Sequence, residues 1–211
     1  MIVIVDSGLA NLKSIYNAVT ILGAEAKISS DPKDIELAER IIVPGVGTFA
    51  EGMANLHRLG LVEPLRKALL VDKKPYLGIC LGMHLLASWG HEFGTTGGLE
   101  IIPAEVKRFA FENNSLKIPH MGWNNIITQK DHPLLDYLKK DKDFYFVHSY
   151  NFIPASKDCI MATCDYGGEF VAAVAKENII GLQFHPEKSQ KNGLAFLERF
   201  IEWTPEVSKR A

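Results

Sequence analysis

The sequence predicts an α/β fold: a central, mostly parallel sheet with helices on both faces, followed by a strand-rich second half. Three observations carry this. Short apolar runs alternate with helical segments through the first half of the chain. Those runs are apolar at nearly every position, as strands covered on both faces must be. The second half strings further strand-like runs together with short turns between them. The chain has 211 residues, 47% apolar and 23% charged, enough for one sizeable core.

Taken in order, Ile2–Val5 is a first apolar strand. Asn11–Leu22 places Leu12, Ile15, Tyr16, Val19 and Leu22 at helical spacing, closed by Gly23. Glu25–Ser29 reads as a strand, Pro32–Ala38 as a helix and Arg40–Val43 as a strand running into Pro44-Gly45-Val46-Gly47. Helices follow at Phe49–Leu56 and Leu61–Leu70, then the strand Pro75–Ile79. Further strands are expected at Ala104–Phe109, Asn124–Thr128, Asp143–Val147, Cys159–Asp165, Phe170–Ala175 and Ile179–Phe184. Asn192–Trp203 is a closing amphipathic helix. With no linker or repeat, one domain is expected over residues 1–203, with a frayed tail over 204–211.

Composition narrows the function. A formal net charge of −2 gives no electrostatic case for nucleic acid. No apolar run approaches the roughly 18 residues that cross a membrane. The N-terminus lacks the basic start of a signal peptide and reads as a strand. Three cysteines, Cys80, Cys159 and Cys164, have no paired spacing, which argues for a reducing compartment and a cytoplasmic location. Cys159 and Cys164 read as small buried hydrophobes in a strand region. No ligand cluster accompanies them, so no metal and no cofactor is expected.

Two motifs carry chemistry. In Leu77-Gly78-Ile79-Cys80-Leu81-Gly82-Met83-His84, an apolar strand meets Gly-x-Cys-x-Gly and the start of a helix. With Ser at the centre this is the nucleophile elbow of hydrolases, a tight turn that lifts the side chain above the sheet. Here the nucleophile is Cys80, whose thiolate needs a base and an anion-stabilising pocket. Alone, the motif fits a packed strand end equally well. The second motif, Gln183-Phe184-His185-Pro186-Glu187-Lys188-Ser189, ends a strand in His-Pro-Glu. Pro186 stops the strand, and Glu187 can orient one imidazole nitrogen while the other faces a thiol, as in a catalytic triad. Both motifs sit at C-terminal strand ends, the edge where open α/β sheets form sites. A third such edge carries Pro44-Gly45-Val46-Gly47. It is a tight turn, or a place where the backbone N–H groups of Val46 and Gly47 approach an oxyanion beside that of Leu81.

These motifs resemble class I glutamine amidotransferases, which have a flavodoxin-like fold and a Cys-His-Glu triad. Within that class the chain is most similar to the glutaminase subunits of imidazole glycerol phosphate synthase. The likeness runs from Met1 to about Trp203. It also rests on Asp6-Ser7-Gly8-Leu9-Ala10-Asn11-Leu12, Ile118-Pro119-His120-Met121-Gly122-Trp123-Asn124 and Phe146-Val147-His148-Ser149-Tyr150.

The resemblance implies hydrolysis of glutamine by Cys80, His185 and Glu187. It also implies a mobile oxyanion loop, and a (β/α)₈-barrel cyclase partner that takes up the ammonia in a heterodimer during histidine biosynthesis. Gly45, His84, Ser149 and Tyr150 match glutamine-binding positions; Asn11, Trp123 and Lys188 match positions near the subunit interface. Trp123 also reads as a core Trp, and His120 and His148 as hydrogen-bonded structural residues.

Three departures stand out. His84 replaces the usual Gln and, one helical turn from Cys80, has a second reading as a base. Ser7 replaces an aromatic residue, and Leu9-Ala10 a more glycine-rich pair. They keep open a paralogue that supplies ammonia to a surface-polysaccharide sugar. Further readings are an inactive binding relative and a solo thiol hydrolase.

Overall fold

In the computed structural model, which describes residues 1–110, 116–138 and 142–205, the first strand sorts the core into two layers. Strand β1 (Ile2–Val5) is buried at all four positions. Its side chains alternate, so Ile2 and Ile4 feed one core while Val3 and Val5 feed the other. This is why the run carries no polar residue. The chain continues with α1 (Leu12–Ile21), β2 (Ala26–Ser29), α2 (Pro32–Leu37), β3 (Arg40–Gly45), α3 (Phe49–Arg58), α4 (Val62–Leu70), β4 (Tyr76–Cys80) and α5 (Leu81–His84). After these come β5 (Trp89–Gly90), β6 (Thr96–Gly97), β7 (Ala104–Arg108), β8 (His120–Thr128), β9 (Asp143–His148) and β10 (Tyr150–Pro154). Finally come β11 (Ile160–Asp165), β12 (Glu169–Lys176), β13 (Ile179–Leu182) and α6 (Gln190–Glu202).

Local chemistry sets several boundaries. Gly23, at φ +82°, follows α1. Asp31 caps α2 by accepting the Lys33 N–H at 2.9 Å, with Pro32 in the first turn. Thr48 and Glu51 form a reciprocal capping box on α3. That box fixes the helix directly behind the Pro44–Gly47 turn.

Among the described residues the main sheet has nine strands in the order β2-β1-β3-β4-β13-β12-β11-β8-β9. It is parallel from β2 through β13 and antiparallel from β13 through β9. One face is covered by α1 and α6 through Ile15, Val19, Phe196 and Phe200. The other is covered by α2, α3 and α4 through Ile35, Met53, Leu56, Leu65 and Leu69. Each such buried side chain contributes roughly 1.5–3 kcal/mol, so the sheet edge between the layers is a rigid platform. Because β13 pairs with β4 in register Gly181↔Gly78 and Leu182↔Ile79, the strands leading to Cys80 and His185 are neighbours.

The structure adds a second, four-stranded sheet, β10-β7-β5-β6, that the sequence does not announce. Strands β5 and β6 are two residues each, too short to show alternation. Strand β8 begins at His120 rather than at Asn124 and includes Gly122 at φ +134°. Cys159 differs from expectation. It lies in a short 3-10 helix (Lys157–Cys159), half-buried, with its thiol donating to the Ser156 carbonyl. Cys164 is buried in β11. Of the expected tail 204–211, residues 206–211 lie outside the described residues. Among the described residues no helix is long and apolar enough to cross a membrane.

Candidate active site

The end of β4 makes a sharp turn at Cys80, whose backbone sits at φ 53° and ψ −106° before α5 begins. A non-glycine residue held at positive φ costs of order 1–3 kcal/mol, and the surroundings enforce it. A side chain at Gly82 would put its Cβ 1.8 Å from the Val43 carbonyl oxygen, and one at Gly78 would put it 2.4 Å from the Gly82 oxygen. Glycine at both positions is therefore a condition of the turn. The buried Tyr76 hydroxyl donates to that Gly82 carbonyl at 3.0 Å and holds the turn from below. The Cys80 side chain is left almost fully buried at the sheet edge.

Strand β13 delivers His185 beside it. The His185 Nδ1–H donates to Glu187 Oε1 at 2.8 Å. Nε2 of His185 is buried without a hydrogen-bond partner and faces the Cys80 side. Burial opposes a charge on this imidazole. The Cys80 sulfur and the Glu187 carboxylate outweigh it and raise the pKa to about 10. Ser189 locks the segment, donating to the His185 carbonyl at 2.6 Å and accepting the Tyr145 N–H at 3.0 Å. The His185 N–H donates to the Tyr145 carbonyl at 2.9 Å, so β9 braces the imidazole from the other side.

The Pro44–Gly47 turn lies across from the thiol. Gly45 ends β3 in register with Cys80. Gly47 has φ +112°. The Val46 N–H donates to the Leu9 carbonyl at 2.6 Å, so it is engaged away from the thiol. The loop bearing Leu9 is itself tied down, since Asn55 on α3 donates to the Ser7 carbonyl at 2.8 Å. Leu81 opens α5, where an N–H has no intrahelical acceptor.

These elements enclose a cavity of about 240 Å³ lined by Val46, Gly47, Cys80, Leu81, His84, Glu92, Val147, His148, Ser149 and Tyr150. Seven of the site residues expected from the sequence therefore line it, namely Cys80, Val46, Gly47, Leu81, His84, Ser149 and Tyr150, with His185 beside Cys80, Gly45 at the end of β3 and Glu187 behind His185. Glu92 was not anticipated. It sits on the short β5–β6 hairpin, and its Oε2 accepts the Phe49 N–H at the start of α3 at 2.9 Å. No local motif marks it.

His84 lines the cavity, yet its Nε2 is 2.7 Å from Gln183 Oε1. Burial holds His84 near pKa 4 despite that bond, which makes it a neutral imidazole and a weak base at neutral pH. His120 and His148 pair through Nδ1 and Nε2 at 3.1 Å. His148 Nδ1 meets the Tyr150 carbonyl at 2.8 Å, and His120 Nε2 meets the Asn124 amide at 3.3 Å. Burial lowers both, to about 3 for His148 and about 4 for His120. Among the described residues no cluster of three or more His, Cys, Asp or Glu is placed to hold a metal.

Trp123, on β8, is half-exposed and meets Tyr145 edge-on at 6.2 Å; it is not a core residue. The Lys188 ammonium lies over the same Tyr145 ring, 5.8 Å from its centre. Asn11 is exposed at the start of α1, which packs on the 3-10 helix Pro186–Lys188. The three residues expected at an interface thus lie on the surface.

Residues 3–203 match the family model "Glutamine amidotransferase class-I". The chain is 43% identical to "Imidazole glycerol phosphate synthase subunit HisH 2" of Pseudomonas aeruginosa, over 96% of this chain and 99% of that one. It is 46% identical to the protein of the same name from Methanococcus maripaludis, again over 96% and 99%. Among solved structures, PurLQS from Thermotoga maritima superposes with a TM-score of 0.71 at 19% identity, over 95% of this chain and 97% of that one, a likeness of fold. The chain belongs to the class-I glutamine amidotransferase family.

Proposed function

We propose that this chain is the glutaminase subunit of an imidazole glycerol phosphate synthase, releasing ammonia from glutamine for a cyclase partner. The relatives of that name cover nearly its whole length. The observation that carries the chemistry is the series at one sheet edge. The Cys80 thiol faces an imidazole whose far nitrogen is held by Glu187 at 2.8 Å. In this reading Cys80 attacks the side-chain amide carbon. His185 takes the thiol proton and hands it to the leaving nitrogen, because an amide cannot depart as an anion. Glu187 orients the imidazole and favours its charged form. Water then cleaves the thioester to glutamate.

The oxyanion hole is drawn from the N–H groups of Leu81, Val46 and Gly47. The bond from the Val46 N–H to the Leu9 carbonyl supports a resting state in which one donor is withheld. The partner would be a (β/α)₈ barrel docked over Asn11, Trp123 and Lys188, and the pair a heterodimer. It would complete the hole and receive the ammonia through a protected passage, since ammonia in bulk water becomes non-nucleophilic ammonium. Gly45, Ser149 and Tyr150 would hold the glutamine backbone groups, with the Glu92 carboxylate lining the same cavity for the ammonium end. A cytoplasmic setting keeps the thiol reduced.

A second reading keeps the same half-reaction with another acceptor. Ser7, Leu9 and Ala10 depart from the usual pattern in the loop that holds Val46, which is the place a different partner would contact. Co-purification of the tagged chain from its own cells, followed by assay with glutamine, decides between them. Recovery of a barrel cyclase that closes the imidazole ring supports the first reading. Recovery of a sugar-amidating enzyme replaces it with the second.

A further inference from the structure

We propose that the Gln183 carboxamide is a catalytic N–H donor to the Cys80 sulfur, and that His84 is the positioning residue that turns the amide that way. This rests on Cys80 being the nucleophile. Gln183 is fully buried at the strand end that leads to His185. Its Nε2 lies 3.8 Å from Cys80 Sγ, and its Oε1 lies 2.7 Å from His84 Nε2.

The surroundings of the sulfur decide which end of the amide faces it. The Val147 carbonyl already faces the sulfur as an acceptor at 3.9 Å, and the His185 imidazole, held in its charged form, favours a thiolate there. A second acceptor from Gln183 would oppose the charge on that sulfur, whereas an NH₂ group gives it a donor of its own. The charged or titratable groups around the sulfur are His185 with Glu187 behind it, His148, Tyr150 and Glu92 lining the cavity, and His84 behind Gln183. In this proposal His84 carries its proton on Nε2, 2.7 Å from Gln183 Oε1, so Gln183 offers it the oxygen and keeps the NH₂ for the thiol. A Gln at position 84 can make the same donation, which accounts for His being tolerated there.

The test follows the thiolate directly. Absorbance near 240 nm is titrated with pH on the full chain, with Cys80→Ser as the blank. Gln183→Met keeps length and volume and removes the donor. The thiolate signal should then need about ten-fold lower proton concentration to appear, the scale of one charge-assisted hydrogen bond. In the complex with its cyclase, kcat for glutamine should fall about ten-fold with KM little changed. His84→Leu should shift the signal in the same direction, and His84→Gln should bring it back. A folded Gln183→Met with the wild-type titration overturns the proposal. Should that variant not fold, His84→Leu and His84→Gln titrating alike overturns it equally. The thiolate signal requires no glutamine, so a chain that shows it but releases no glutamate overturns the function and leaves the donor standing.

Discussion

One wall of the cleft, at the ends of β4 and β13, holds Cys80, His185 and Glu187 in series. The facing wall, at the end of β3, has its Val46 N–H bonded to the Leu9 carbonyl at 2.6 Å. The first wall is over-determined. Gly78 and Gly82 fit against backbone, Tyr76 holds the elbow, and Ser189 with Tyr145 holds the imidazole. At the second wall the Val46 N–H itself is held by a peptide hydrogen bond to a neighbouring loop, worth roughly 0.5–1.5 kcal/mol net. The contrast assigns the walls different jobs. In the proposed reading the nucleophile and base would stand ready at all times, and the anion-binding side would be the one that a partner could set. A thiolate without an oxyanion hole would be a poor glutaminase, so restraint on this wall would spare glutamine when no acceptor is present.

The largest expected effect breaks the first wall. Cys80→Ala should abolish glutamate release, while synthesis driven by added ammonium salts should survive in the complex. His185→Ala should lower kcat by roughly 10²–10⁴, the usual worth of a general base. Both are read by glutamate release at saturating glutamine. Turnover near wild type in Cys80→Ala would end the assignment of the nucleophile.

The second wall is tested by the partner. The chain alone should run about 100-fold or more slower than with its barrel partner and acceptor. That ratio is roughly 2.7 kcal/mol, the scale of one oxyanion donor. Asn55→Ala frees the Ser7 carbonyl and loosens the loop that holds Val46. It should raise the rate of the isolated chain several-fold and lower the activation ratio. Equal rates with and without the partner would point to a solo hydrolase.

The walls also differ in how much the sequence discloses. Cys80, His185 and Glu187 are legible because glycines, a proline and apolar strands mark them within a few residues. The parallel strands are legible for the same local reason: burial on both faces leaves no room for polar residues. What is not legible depends on contacts between distant segments. Gln183 meets His84 across 99 positions, and Glu92 reaches α3 across 43. The Val46 N–H finds Leu9 only once β1 and β3 lie side by side. The second sheet escapes because β5 and β6 are too short to carry a period. Trp123 reads as core or surface until β8 shows its outer face.

The histidines sharpen the contrast in a form that pH can read. His185 has a raised pKa, so its stabilising contribution is complete below pH 6.5 and is lost as pH rises through about 10. His84, His120 and His148 are depressed to about 4, about 4 and about 3, so their contribution is present above pH 6.5 and is lost as pH falls. Between about pH 6 and pH 5 the unfolded chain takes up close to three protons that the folded chain refuses. Stability should therefore fall by about 3–4 kcal/mol per pH unit in that window. Urea midpoints at pH 7.5, 6 and 5 measure it. An unchanged midpoint from pH 7.5 to 5 would show that these imidazoles accept protons inside the fold.

The smallest effect concerns the cavity between the walls. Glu92 lines it while accepting the Phe49 N–H, so one carboxylate joins the hairpin, the start of α3 and the cavity beside Cys80. A helix N-terminus favours a negative charge, and a substrate ammonium favours it again. Glu92→Gln keeps the acceptor for Phe49 and removes the charge. It should raise KM for glutamine about ten-fold, one charge-assisted hydrogen bond, and leave kcat within a few-fold, because the ammonium end of the substrate is bound alike in ground and transition states. A matched fall in kcat would mean that Glu92 acts through α3 on the Val46 turn instead of on glutamine. That would move it from the pocket to the adjustable wall, since Thr48 and Phe49 follow directly on Gly47.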